Sequence, residues 1–252
     1  MTFTVVIPAR FGSTRFPGKP LADIQGKPMI QHVCERAEEA GAQRIIVATD
    51  DERIANVASG FSHVCMTDST HESGTERIAQ VIALESLLPD SLIVNVQGDE
   101  PFVPADNIRQ VAENLAKDNS VSMATLCTPI LHTDEVINPN IVKVVINHHR
   151  HALYFSRSVI PFDRDKMLTK QAQPDPANYL RHIGLYAYRA QYIKQYVSYA
   201  PTMLEKTESL EQLRALWYGD AIHCDIAEAL PPVGIDTPED LATLLKELAK
   251  QG

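Results

Sequence analysis

Paired cysteines, long apolar stretches and an excess of basic charge are what this 252-residue sequence lacks. The four cysteines, Cys34, Cys65, Cys127 and Cys224, form no CxxC pair and have no histidine beside them at zinc-ligand spacing. That argues against a disulfide framework and a Cys/His zinc module, and the thiols read as reduced and mostly buried. No segment approaches the ~20 apolar residues of a membrane span. The opening MTFTVVIPAR has no basic leader and reaches Pro8 and Arg10 before an apolar run could grow to signal-peptide length, so the cytoplasm is the expected compartment. With 23 Lys and Arg against 32 Asp and Glu, the formal net charge is −9. General nucleic-acid binding needs a basic field to neutralise phosphates, and this chain does not have one. Any anionic ligand must therefore be met locally.

What is present is the balance of an ordinary globular protein, 44% hydrophobic and 22% charged. The length fits one domain, or one domain carrying an insertion. Short apolar runs alternate with segments of helical period. Residues 3–9 read as a strand, 29–40 as a helix closed by Gly41, 44–48 as a strand and 51–59 as a short helix. Residues 63–66 follow as a strand, 75–88 as a helix stopped by Pro89, and 92–96 (LIVNV) as an apolar strand covered on both faces. This order predicts an α/β fold with a doubly wound, mostly parallel, Rossmann-like sheet. In such sheets ligands collect beyond the carboxyl ends of the strands.

After about residue 120 the rhythm changes. Strand-like runs occur at 121–126, 142–146 and 152–155, with 147–151 as a hairpin turn, and a polar stretch fills 163–178. A strand at 182–188, a helix near 209–218, a strand at 221–227 and a helix from Pro238 to Lys250 complete the chain. Residues from about 130 to 205 read as a smaller β-rich insertion within a single domain spanning 1–252. His148, His149 and His151 read as a solvated turn without carboxylate or cysteine support.

The loop ARFGSTRFPGKP, residues 9–20, gathers Arg10, Arg15 and Lys19 with Gly12, Ser13 and Gly18 at the end of the first strand. From Arg10 to Lys27 four basic residues face one acid, Asp23, inside an acidic chain. Glycines let backbone N–H groups turn toward phosphate oxygens and the cations supply the charge, so the segment is a local anion trap. It is neither a Walker loop nor a GxGxxG turn, since Pro20 stands where a magnesium-binding hydroxyl would be needed.

The string RFGSTRFPGKPL resembles the nucleotide-binding signature of the CMP-Kdo synthetases, which are related to the CMP-sialic acid synthetases. VATDDERIA, HESGTERIA, VNVQGDEP, NPNIVKVV, ALYFSR, LRHIGLYAYR, LEQLRALWYG and GIDTPEDL match the same family, from the first strand to the last helix. The resemblance implies a magnesium-dependent cytidylyltransferase joining CMP from CTP to the eight-carbon acidic sugar Kdo for lipopolysaccharide biosynthesis. It also implies a homodimer built through the inserted lobe, with no nucleic-acid partner and no membrane span.

Carried over residue by residue, the resemblance puts Ala9, Arg10, Gly12, Ser13, Arg15, Lys19, Ser73, Gly74, Thr75 and Arg77 on the nucleotide. Asp99 of QGDEP and Asp236 of GIDTPED are the implied Mg²⁺ carboxylates, and Lys19, Arg10, Arg15, Asp99 and Asp236 the catalytic set. Gln97, Arg157, His182, Tyr186, Glu211 and Gln212 are the implied sugar contacts. Structural roles compete at several of these positions. Ser73 with Glu76 fits a capping box, Thr237 with Pro238 and Asp240 a helix start, and Leu210, Leu213 and Trp217 a core stripe that would leave Glu211 and Gln212 facing water. Three rival activities stay open: transfer to another ulosonic acid, a metal-dependent glycosyltransferase using a preformed nucleotide sugar, and a non-catalytic nucleotide sensor.

Overall fold

The computed structural model describes residues 1–12, 16–168, 173–232, 234–235 and 237–248. Its strands are β1 (Thr4–Ala9), β2 (Asp23–Ile24), β3 (Lys27–Pro28), β4 (Arg44–Thr49), β5 (His63–Met66), β6 (Leu92–Asn95), β7 (Met123–Pro129), β8 (Lys143–Ile146), β9 (Ala152–Ser156), β10 (Leu180–Arg189) and β11 (Ile222–Ile226). Its helices are α1 (Met29–Glu39), α2 (Glu52–Ala58), α3 (Gly74–Leu84), α4 (Ala105–Lys117), α5 (Thr133–Ile137), α6 (Arg164–Met167), α7 (Ala190–Tyr196), α8 (Met203–Glu208), α9 (Leu213–Trp217) and α10 (Pro238–Leu248).

The main sheet runs β11-β7-β10-β6-β1-β4-β5, with β8 joined to β10 and β9 to β8. β11–β7, β6–β1, β1–β4 and β4–β5 pair in parallel, whereas β10 lies antiparallel to both of its neighbours in that order. Because β6 and β7 both oppose β10, the strands β1, β4, β5, β6, β7 and β11 all point one way. Their carboxyl ends share one rim.

Alternate residues of β1 explain why the sheet needs cover on both faces. Val5 and Ile7 pack with α1, α2 and α4 through Val33, Ile54 and Ile108, while Val6 packs with α3, α7 and α9 through Ile78, Ile193 and Leu213. Burying each such side chain stabilises the fold by about 1.5–3 kcal/mol, so both layers are required.

Several boundaries differ from the sequence reading for local reasons. The helix expected to run to Leu88 stops at Leu84. Glu85 binds Arg44 and His63, and Ser86 turns left-handed with φ 50°. The helix expected near 209–218 is confined to α9, and a separate α8 precedes it, started by a Thr202–Glu205 capping box and ended where Ser209 takes φ 52°. Trp217 is 52% exposed rather than core. Thr237 and Asp240 cap α10 reciprocally, as expected, and Lys250 lies outside the described residues. The expected insertion contains the β8–β9 hairpin but also β10, which sits inside the main sheet.

Candidate active site

Two concavities open where β1 and β6 end. The first, about 330 Å³, is lined by Ala9, Arg10, Lys19, Gly74, Gln97 and Asp99, with Pro8, Pro20, Glu72 and Gly98. Gly98 is required here: a Cβ at that position would stand 2.9 Å from the Pro8 carbonyl oxygen, so only glycine lets the two strand ends approach. Gly18, at φ 72°, turns the chain so that Lys19 starts a short helical turn and points inward. Lys19 is buried, and its Nζ donates to Asp99 Oδ2 at 2.6 Å and to the Ile235 carbonyl at 2.7 Å. Arg10 donates to the His71 carbonyl, which ties the first loop to the segment leading into α3.

A carboxylate on the cleft wall beside a lysine suits a hard cation that takes one or two carboxylates and completes its shell with phosphate oxygens and water. Asp99 is thus a fitting Mg²⁺ ligand by chemistry. Asp236, Arg15 and Ser13 lie outside the described residues.

The second concavity, about 90 Å³, is lined by Thr75, Asn95, Gln97, Met123, Tyr186, Tyr188, Tyr196, Glu211 and Gln212. Gln97 lines both, so the two spaces are neighbours across that residue. A β-bulge sets the far wall. β10 shifts register between Ile183 and Tyr186, and Thr125 Oγ1 lies 3.0 and 2.9 Å from the carbonyls of Ile183 and Leu185. The shift aims Tyr186 into the recess, where its hydroxyl meets His182 Nε2 at 2.8 Å. Desolvation pushes the His182 imidazole down to about 3, so it is neutral, and it pushes the Tyr186 hydroxyl up.

The polar chemistry of this recess is incomplete. Glu211 Oε1, Gln212 Nε2 and Asn95 Oδ1 are buried without a hydrogen-bond partner among the described residues. Burial raises the Glu211 carboxyl above its ordinary range, and Thr75, Arg214 and Ser73 only partly offset that. Each unpaired buried polar group costs about 1–3 kcal/mol. Three around one small space are what a ligand rich in hydroxyls would satisfy.

Not every anticipated residue reaches these spaces. Ser73 caps α3, accepting from the Glu76 amide at 3.2 Å while Glu76 binds back, so its structural role is real. Arg77, expected on the nucleotide, is fully buried and outside both linings, donating to Thr67 with its guanidinium 3.4 Å from Asp50. Gly12 lies outside the lining. Arg157 is also outside both linings, because its guanidinium serves the carbonyls of Glu208 at 2.7 Å and Pro139 at 3.0 Å. His182 borders a third cavity, about 500 Å³, with Phe102, Glu135, Arg181 and Ile235. Asn95 went unnoticed in the sequence, although an asparagine inside LIVNV is the signal: a polar side chain in a doubly covered strand needs a partner.

The chain matches the cytidylyltransferase family over residues 4–223. It is 65% identical to the 3-deoxy-manno-octulosonate cytidylyltransferase of Alteromonas mediterranea, over 98% of this chain and 100% of that one. The protein of the same name from Pseudoalteromonas atlantica is 55% identical over 98% of each. A solved structure of CMP:2-keto-3-deoxy-manno-octonic acid synthetase complexed with CTP superposes with a TM-score of 0.88 at 40% identity, over 100% of both chains.

Proposed function

We propose that this chain, which belongs to the cytidylyltransferase family and within it to the 3-deoxy-manno-octulosonate cytidylyltransferases, transfers CMP from CTP to the anomeric hydroxyl of Kdo. The products are CMP-Kdo and pyrophosphate, and the activated sugar serves lipopolysaccharide biosynthesis. The observation that carries this reading is the junction at Gln97, where a cleft holding Arg10, Lys19 and Asp99 meets a recess with three unpaired polar atoms. A triphosphate fits the first and a polyhydroxylated acid the second.

The sugar oxygen attacks the α-phosphorus in line and pyrophosphate leaves. The chain supplies position and charge rather than a covalent nucleophile. Arg10 and Lys19, with Arg15, hold the triphosphate and meet the charge developing on the departing pyrophosphate. Gly74 and Thr75 carry the nucleotide along the start of α3, and Gln97 holds the two substrates in register. Glu211, Gln212 and Tyr186 take sugar hydroxyls. Asp99 and Asp236 would hold Mg²⁺, which would supply neutralisation of the triphosphate charge and a lower pKa for the attacking hydroxyl. A cytoplasmic homodimer, with residues from about 130 to 205 contributing the sugar side and the dimer contact, completes the proposal. No described helix is long and apolar enough to cross a membrane.

The test is pyrophosphate release measured for the four nucleoside triphosphates against Kdo, a sialic acid and no sugar, with and without Mg²⁺. Release only with CTP, Kdo and Mg²⁺ supports the assignment. Release of free nucleotide from a preformed CMP-sugar would favour a glycosyltransferase, and CTP binding without turnover on any acidic sugar would leave a sensor.

A further inference from the structure

At the rim of the sheet opposite the cleft, three side chains from distant parts of the sequence converge. Asp118 follows the end of α4, His151 closes the β8–β9 turn and His223 lies near the start of β11. β7 and β11 run parallel to β1 and β6, so this amino-terminal edge is the far side of the molecule from the triphosphate. His151 Nε2 lies 3.0 Å from Asp118 Oδ2 and His223 Nδ1 lies 3.3 Å from the same oxygen. The three ligand atoms lie within 4.8 Å of one another.

Two imidazole nitrogens and one carboxylate oxygen form the donor set that borderline first-row cations select over Mg²⁺ or Ca²⁺. The two nitrogen-to-oxygen distances, 3.0 and 3.3 Å, also suit such a site. Metal bonds of about 2.0–2.1 Å at tetrahedral angles place neighbouring ligand atoms roughly 3.3 Å apart. The geometry points to a binding site for a divalent transition-metal ion, Zn²⁺ or a close analogue, formed by Asp118, His151 and His223, with water in the fourth position.

The surroundings are those of a prepared site. Asp118 Oδ1 accepts from Ser120 N at 2.9 Å and Ser120 Oγ at 2.5 Å, which fixes the carboxylate and leaves Oδ2 for the histidines. Asn147 Oδ1 accepts from the amides of His149 at 2.9 Å and His151 at 3.0 Å, holding the turn, and an antiparallel bridge couples His151 to His223. His223 Nε2 is buried without a hydrogen-bond partner. Without a metal the two rings share one carboxylate oxygen. With a metal, each neutral imidazole offers the lone pair of the nitrogen facing that oxygen and carries its proton on the other nitrogen. The ion then clips together α4, the β8–β9 turn and β11. His148 and His149 stand beside the site, their rings 3.6 Å apart, and are the rival ligands on the exposed turn.

The experiment uses the full-length protein stripped with a chelator and titrated with Co²⁺ in excess Mg²⁺, reading visible absorption, followed by Zn²⁺ competition and a thermal-shift measurement. The proposal predicts one equivalent of Co²⁺ with an intense low-symmetry band, displaced by Zn²⁺, and a higher melting temperature with Zn²⁺ than with Mg²⁺. His151→Ala and His223→Gln should each weaken binding more than about 100-fold and Ser120→Ala about 10-fold, while His148→Ala/His149→Ala leaves it unchanged. Because His151 lies in a surface turn, its variant keeps the test valid if His223→Gln misfolds. Absence of a bound equivalent, binding that survives His151→Ala, or binding abolished by His148→Ala/His149→Ala would each overturn the assignment.

Discussion

Glu205 and Glu211 sit six residues apart on one short stretch, both shielded from solvent, and their surroundings are opposite. Glu205 is a satisfied structural acid. Its oxygens accept from Arg214 Nε at 2.8 Å and NH2 at 2.6 Å and from the Thr202 amide at 3.1 Å. Burial alone would raise its carboxyl, but the Arg214 guanidinium and Thr202 outweigh that and hold it below the ordinary range. Glu211 has one oxygen with no partner, and burial wins, so its carboxyl is raised. A fold tolerates an expense of the second kind where a ligand will later supply the missing bonds. The contrast separates what holds this protein together from what it holds.

The largest expected effect breaks the structural side. Glu205→Gln leaves Arg214 buried without its charge partner and should destabilise by about 3–5 kcal/mol. A chemical melt should show that loss while the protein that remains folded keeps its KM for both substrates. Asp99→Asn tests the other side: kcat should fall about 10²–10³-fold, with a smaller loss of stability than Glu205→Gln because Asp99 is 36% exposed where it meets Lys19. Near-normal turnover would remove Asp99 from the active centre. Gly98→Ala lies between the two. Its new Cβ meets the Pro8 carbonyl, so it should cost about 1–3 kcal/mol and move the cleft walls, lowering stability and CTP affinity together.

The smallest effect is the most telling. Glu211→Gln should raise the KM for Kdo about tenfold while leaving that for CTP unchanged. Since the folded state holds the Glu211 proton more tightly than the unfolded chain, the wild type loses stability as pH rises through the raised pKa. The glutamine variant should therefore melt slightly higher than wild type at pH 8, and that advantage should vanish at low pH. A uniform drop in stability at every pH would make Glu211 structural like Glu205.

The sequence revealed the β1, β4, β5 and β6 strands and the helices between them because the local pattern and the burial agree there. It concealed the break between α8 and α9, which depends on Ser209 turning left-handed after the Thr202–Glu205 cap, and on Leu210 and Leu213 packing against α7 and β9. α4 was also passed over, although Ile108, Val111, Ala112 and Leu115 carry a helical period. In the site, the anion trap was legible as a charge anomaly, and Lys19 and Asp99 do meet. The burial of Arg77 was not legible, because a motif position does not say whether a side chain is exposed in the cleft or enclosed beside it. The Asp118, His151 and His223 cluster was illegible, since chain topology alone brings together residues 33 and 105 positions from Asp118.

The most direct test of the central claim is a structure of the protein with a non-hydrolysable CTP analogue, Mg²⁺ and Kdo bound together. The triphosphate should lie against Arg10 and Lys19, with Lys19 released from Asp99. The sugar should fill the recess beyond Gln97, with hydroxyls on Glu211 Oε1 and Gln212 Nε2. A sugar seated instead in the larger cavity past His182, or a Lys19 turned away from the phosphates, would contradict the account.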